Sequence, residues 1–253
     1  MTMTDLREAR DELVRILELT SEPVGVRFIP QGQALPEDCQ TPASRRYCQA
    51  LMEARRGARV LLTPDNVSCP AAAAAFGFRP LPPMLASGEM LHSFGIFGSA
   101  EAGKATIDSM RRLRPGEYSA VALGPLAALH GEPSVVVVEG TVEQVMWIAL
   151  AARHQTGGRT EFSTAILQAT CEDATLLPFL TERLNATLGC YGCRDATDMG
   201  VDETAVGFPY SMLPAVVDGL RALGNKALPS ARSKTAYRAL SKGAACDTGM
   251  AAQ

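Results

Sequence analysis

A chain of 253 residues, 47% apolar and 20% charged, has material for a full hydrophobic core. Its net charge of −3 supplies no global field for nucleic acid or anionic lipid, which argues against both as partners. The most apolar stretches, Tyr118–Leu129 and Val135–Val138, are too short or too broken to span a bilayer, and the start lacks a signal peptide's basic and apolar segments. The expectation is a soluble, cytoplasmic protein.

In chain order, residues 4–20 predict a helix capped by Thr4, with Leu6, Leu13, Ile16 and Leu17 on one face. Residues 23–30, β-branched and bounded by prolines, predict a strand. A proline-containing loop leads to a helix over 45–56 and a second strand over 59–63. Ser68-Cys69-Pro70 then opens a slim helix of five alanines, Pro70 suiting a first turn. The Pro/Gly-rich connection over 79–99 is long enough to be a lid or binding loop. A helix over 100–113 and a strand over 118–123 follow.

Four consecutive valines in 134–139 mark the clearest buried strand, and Thr141 with Gln144 forms a capping box for a helix reaching His154. Strand running directly into helix favours an α/β or α+β fold, a mixed central sheet with flanking helices. Residues 162–171 are ambiguous between strand and helix. Residues 175–181 read as helix despite Pro178, 186–188 as a short strand, 211–223 as an amphipathic helix and 234–241 as a last turn or two. No repeat or linker interrupts the chain, so 1–242 is expected to be a single compact domain and 243–253 a disordered tail carrying Cys246. From Gly219 to Lys242 six basic residues occur without an acid. That is either a solvated helix complementing the acidic remainder or a face for an anionic partner.

Seven cysteines at irregular spacing do not form a secreted disulfide framework. Cys190-Tyr191-Gly192-Cys193 presents two sulfurs from one loop, with Arg194 adding positive charge beside them. Cys69 sits in the first turn after Ser68, where helix amides favour a thiolate. Cys48, in an amphipathic helix, and Cys171, near a turn, are either further ligands or small buried hydrophobes. Cys39 and Cys246 are discounted as loop and tail thiols. Structural zinc usually takes two Cys-x-x-Cys steps or paired histidines, whereas His92, His130 and His154 are isolated here. An iron–sulfur cluster accepts cysteines from remote segments and fits the spread better, with zinc the alternative. A redox dithiol at Cys190 and Cys193 is the other contender, although their glycine neighbours do not announce a strand-to-helix setting.

Tyr47-Cys48-Gln49-Ala50, Ser68-Cys69-Pro70, Phe76-Gly77-Phe78, Cys171 and Asn185–Arg194 resemble domain-of-unknown-function family 169, a bacterial and archaeal group. The likeness runs from about Leu13 to Leu223. It implies that Cys48, Cys69, Cys171 and Cys190 matter together, with Cys193 as a more variable fifth, and it supplies no reaction. Arg159 after Gly157-Gly158 and Arg194 are weaker candidates for orienting a substrate carboxylate, and Glu139, at a strand end where α/β proteins often place function, is a further weak candidate at the substrate. Trp147 and its neighbours read as core. The combined expectation is a protein holding a [4Fe-4S]-type cluster, leaning to a redox or Lewis-acid enzyme with a small-molecule substrate or redox partner. A non-catalytic zinc or redox-sensing protein is the rival.

Overall fold

The structure is a computed structural model, and it describes residues 3–234 and 236–240. The tail expected over 243–253, with Cys246, lies outside the described residues. Helix α1 (Met3–Leu17) leads to β1 (Val24–Pro30), α2 (Tyr47–Arg55), β2 (Val60–Leu62) and α3 (Pro70–Ala75). Two short helices, α4 (Pro83–Ala86) and α5 (Glu89–Ser93), precede α6 (Ala100–Ser109). Strands β3 (Tyr118–Pro125) and β4 (Val135–Thr141) feed α7 (Val142–Arg153). A π-helix (Ala169–Leu176) continues into α8 (Leu177–Thr181), then β5 (Asn185–Thr187), α9 (Tyr191–Ala196), β6 (Glu203–Pro209), α10 (Leu213–Gly224) and α11 (Ala227–Arg232).

The six strands form one sheet in the order β2-β3-β1-β4-β6-β5, and all of its strand pairs are antiparallel. The fold is therefore α+β. The valine run explains its layering. Side chains alternate across a strand, so Val135 and Val137 enter the core on one face while Val136 and Val138 enter the core on the other. An apolar run without alternation is what a strand covered on both sides requires. Thr141 caps α7 as the sequence predicts: its hydroxyl accepts from Gln144 N–H, and Gln144 Oε1 accepts from Thr141 N–H at 2.8 Å.

On the first face lie α2, α3 and the π-helix, with Phe76 and Tyr47 fully buried among small residues. On the second lie α1, α7 and α10, joined through Leu13, Ile148, Trp147 and Leu220. The first face also carries a separate apolar cluster built on α4 to α6, with Leu85, Leu91 and Ile107 at its centre. The connection expected over 79–99 is thus partly helical and has a small core of its own.

Candidate functional site

The π-helix is the most unusual local structure, since π geometry is rare and rarely extends beyond one turn. It begins after Gln168, whose backbone is left-handed (φ 52°), and all eight of its residues are buried. Thr175 stabilises the wide turn by donating its hydroxyl to the Thr170 carbonyl at 2.7 Å, and it shares a 2.7 Å hydrogen bond with the Tyr47 hydroxyl. Those bonds lock the π-helix to the start of α2. They thereby hold Cys171, on the π-helix, near Cys48, which follows Tyr47.

A strand-to-helix step supplies two more sulfurs. β5 ends at Thr187, Gly189 turns the chain with φ 84°, and Cys190 is the N-cap of α9. A side chain at Gly189 would press on Met199 Sδ, 3.2 Å from a built Cβ, so the turn needs glycine on both counts. Cys190 Sγ accepts from Cys193 N–H at 3.4 Å, and the two sulfurs stand 3.2 Å apart. The strand-to-helix setting that the glycines did not announce is therefore present. Its helix, at six residues, is too short to show a hydrophobic period.

One cavity of about 470 Å³ gathers the expected cysteines: Cys48, Cys69, Cys171, Cys190 and Cys193 all line it. Cys193 is in contact with the thiols of both Cys190 and Cys48 and with the Thr170 hydroxyl at 3.4 Å. Cys69, the N-cap of α3, is half-buried and the other four are buried. Cys39 is set apart in a small cluster with Ile29 and Leu61 and does not line this cavity.

Three of the sulfurs, Cys171, Cys190 and Cys193, are in a setting that resists bare thiolates. Burial, reinforced by the nearby Cys69, Cys193 and Cys190 sulfurs, raises the Cys171 thiol well above its ordinary range. The hydrogen bond to Cys193, and then burial, raise Cys190. For Cys193 the bond from Cys190 lowers the value, but the bond with Cys48 and burial outweigh it, leaving the thiol at about 11. Those shifts favour the protonated thiols, so a metal binding there would have to displace their protons. Among the described residues, no three His, Cys, Asp or Glu side chains close on a single-ion geometry.

The weaker candidates stand elsewhere. Arg194 donates to the carbonyls of Gly200 and Leu188, both at 2.8 Å, and so ties the loop after α9 rather than lining the cavity. Glu139 is buried and pairs with Arg55 Nε at 3.3 Å. Arg159 is exposed and does not line the cavity. Two features of the site escaped the sequence reading. Part of the lining is apolar, formed by Leu85, Met90, Phe94, Ile96, Ile107 and Leu167. Arg46 also lines the cavity, and nothing in the sequence sets it apart from Arg45 beside it.

Among the described residues no helix is long and apolar enough to cross a membrane. No solved structure matches the chain. An uncharacterised protein of Methanocaldococcus jannaschii, MJ0308, is 28% identical over 223 residues, covering 87% of this chain and 95% of that protein. The family model described as "Uncharacterised ArCR" matches residues 12–219, so the chain belongs to domain-of-unknown-function family 169.

Proposed function

We propose that the protein holds an iron–sulfur cluster through four of the five cysteines 48, 69, 171, 190 and 193. The observation that carries this is their convergence: sulfurs from α2, the start of α3, the π-helix and α9 line a single cavity. The donor set is all sulfur, without histidine, which suits iron–sulfur clusters and zinc among common centres. A mononuclear ion needs its ligands drawn tightly together, and the thiols do not stand that way. A polynuclear cluster occupies more space and takes its sulfurs from around a wider void, so it fits the cavity better than zinc does.

When bound, such a cluster supplies electron transfer or, with one iron left uncapped by cysteine, Lewis acidity toward a small substrate. The chain's own contribution is legible. Apolar side chains, Leu85, Met90 and Ile107 among them, line the cavity beside the sulfurs, and the Tyr47–Thr175–Thr170 bonds fix the π-helix against α2. The half-buried Cys69 is the sulfur nearest solvent. A ligand set with one sulfur to spare, beside a cavity, favours an enzyme over a purely structural centre.

A redox dithiol at Cys190 and Cys193 is the second reading, supported by the 3.2 Å separation of their sulfurs and the helix N-cap. Anaerobic purification with iron, sulfide and zinc analysis separates the two. The expected result is iron with equimolar sulfide and a visible absorption band. Cys190→Ser and Cys171→Ser should abolish the band, while Cys39→Ser keeps it. Zinc without sulfide would favour the structural or sensing role. A folded, colourless protein that takes up no metal on anaerobic reconstitution would leave only the dithiol.

A further inference from the structure

The arginines around α2 differ in a telling way. Arg45 pairs with Glu53 at 2.7 Å, Arg55 with Glu139, Asp198 and Glu203, and Arg56 with Asp198. Arg46 lies among them in sequence and pairs with no carboxylate among the described residues, although it is half-buried and lines the sulfur cavity. Its guanidinium lies over Gly192 in the first turn of α9, with Nη1 3.7 Å from where a Cβ would be. A larger residue at 192 would crowd that cation. The other charged side chain on the lining is Asp195, which likewise enters no ion pair among the described residues. The same cavity is lined by the apolar group, in which Phe94 remains 64% exposed and Met90 half-buried.

A half-buried guanidinium without an ion-pair partner, on a cavity whose lining also carries a group of apolar side chains, matches an anionic head with an apolar body. Arginine's planar fork favours a carboxylate, which it meets with two parallel hydrogen bonds. The charge count limits the ligand further. A single guanidinium on the lining matches one negative charge better than the two of a phosphate ester or a dicarboxylate, and Asp195 adds repulsion against a second. The cavity volume, about 470 Å³, lies within the range of small-molecule sites.

We propose that this cavity binds an apolar monocarboxylate, its head on Arg46 and its body against Leu85, Met90, Phe94, Ile96 and Leu167. The assignment rests on the reading of this cavity as the functional site, but it uses Arg46 and the apolar side chains rather than the sulfurs. It also moves the anion-binding role from Arg159 and Arg194 to Arg46.

Titration calorimetry at pH 7 with acetate, butanoate, hexanoate, hexanamide, adipate and inorganic phosphate tests it. Affinity should rise about fourfold per added methylene among the monocarboxylates, as expected for buried CH₂ groups. Hexanamide, adipate and phosphate should each bind at least tenfold more weakly than hexanoate. Arg46→Gln should bring hexanoate down to the hexanamide level, Arg46→Lys should retain part of the difference, and Arg159→Gln should change nothing. Equal binding of hexanoate and hexanamide by the unaltered protein overturns the proposal without any variant, so poor folding of Arg46→Gln does not shield it. Wild-type affinity in a folded Arg46→Gln, or no binding of hexanoate at 10 mM, overturns it equally. Metal content is measured on each sample. Selective hexanoate binding by folded, metal-free protein would keep this proposal and count against the cluster. Iron-loaded protein that ignores every carboxylate would do the reverse.

Discussion

The two faces of the sheet receive alternate valines from the same strand, yet they are built differently. The α1/α7/α10 face is filled by large aliphatic side chains together with Trp147 and Phe208. The α2/α3/π-helix face mixes its valines and leucines with many alanines, four cysteines and a few aromatics. Around it are buried Arg55, Glu139, Thr170, Glu172, Asp173, Thr175 and Asn185. Buried polar groups are costly unless bonded, and here they are. Asp173 accepts from the hydroxyls of Thr164 and Thr187 at 2.6 and 2.9 Å, and Asn185 donates to the Asp173 carbonyl at 2.8 Å. One face is organised for stability, and the other gives up apolar burial to hold five sulfurs and a polar scaffold at fixed positions.

Glycine contacts on the two faces give the largest test of that contrast. A methyl added at Gly207 in β6 would overlap the Ala174 carbonyl oxygen of the π-helix, which rests directly on the sheet there. The π-helix has no slack, because Thr175 and Tyr47 hold it from the other side. Gly207→Ala should therefore cost at least about 4 kcal/mol in urea unfolding, and any folded fraction should bind less metal than wild type. On the opposite face, Ile148→Ala should cost about 3–4 kcal/mol through its cavity while leaving metal content per folded molecule unchanged. Metal loss in Ile148→Ala equal to that in Gly207→Ala would erase the distinction between the faces.

The same contrast explains which parts were readable from sequence. The second face follows local rules: the period of Leu6, Leu13, Ile16 and Leu17, and the Thr141–Gln144 capping box, are each visible within a few residues. Strand β6 was missed because Gly207 and Pro209 look like punctuation. Gly207 is there because another segment's carbonyl lies against it, and Pro209 closes the strand. The π-helix has no periodic signature, and it depends on the left-handed Gln168 and on Tyr47, 128 residues from Thr175. Cysteine type and spacing pointed to a shared site, but only the fold brings the residues to one cavity. Arg46 could not be distinguished from Arg45 until their partners were known.

The smallest expected effect concerns the ion cluster beneath the sulfur face. Glu139 is 8% exposed, and burial lifts its carboxyl to about 7 from an ordinary 4.5; Arg55 pulls the value down, and Glu203 and Asp198 push it up. Between about pH 4.5 and 7 the folded protein therefore keeps a proton that the unfolded chain has released. The stability linked to that proton is complete below pH 4.5 and is lost as the pH rises through 7. The shift corresponds to at most about 3 kcal/mol, each pKa unit carrying about 1.4 kcal/mol. Glu139→Gln stays neutral throughout and removes that slope, so its stability relative to wild type should improve by about 1–3 kcal/mol between pH 5 and pH 8. Urea midpoints at the two pH values measure it. A relative loss at pH 8 instead would mean that the Arg55 ion pair outweighs the cost of burying the carboxylate, and that this network stabilises the sulfur face by charge rather than in spite of it.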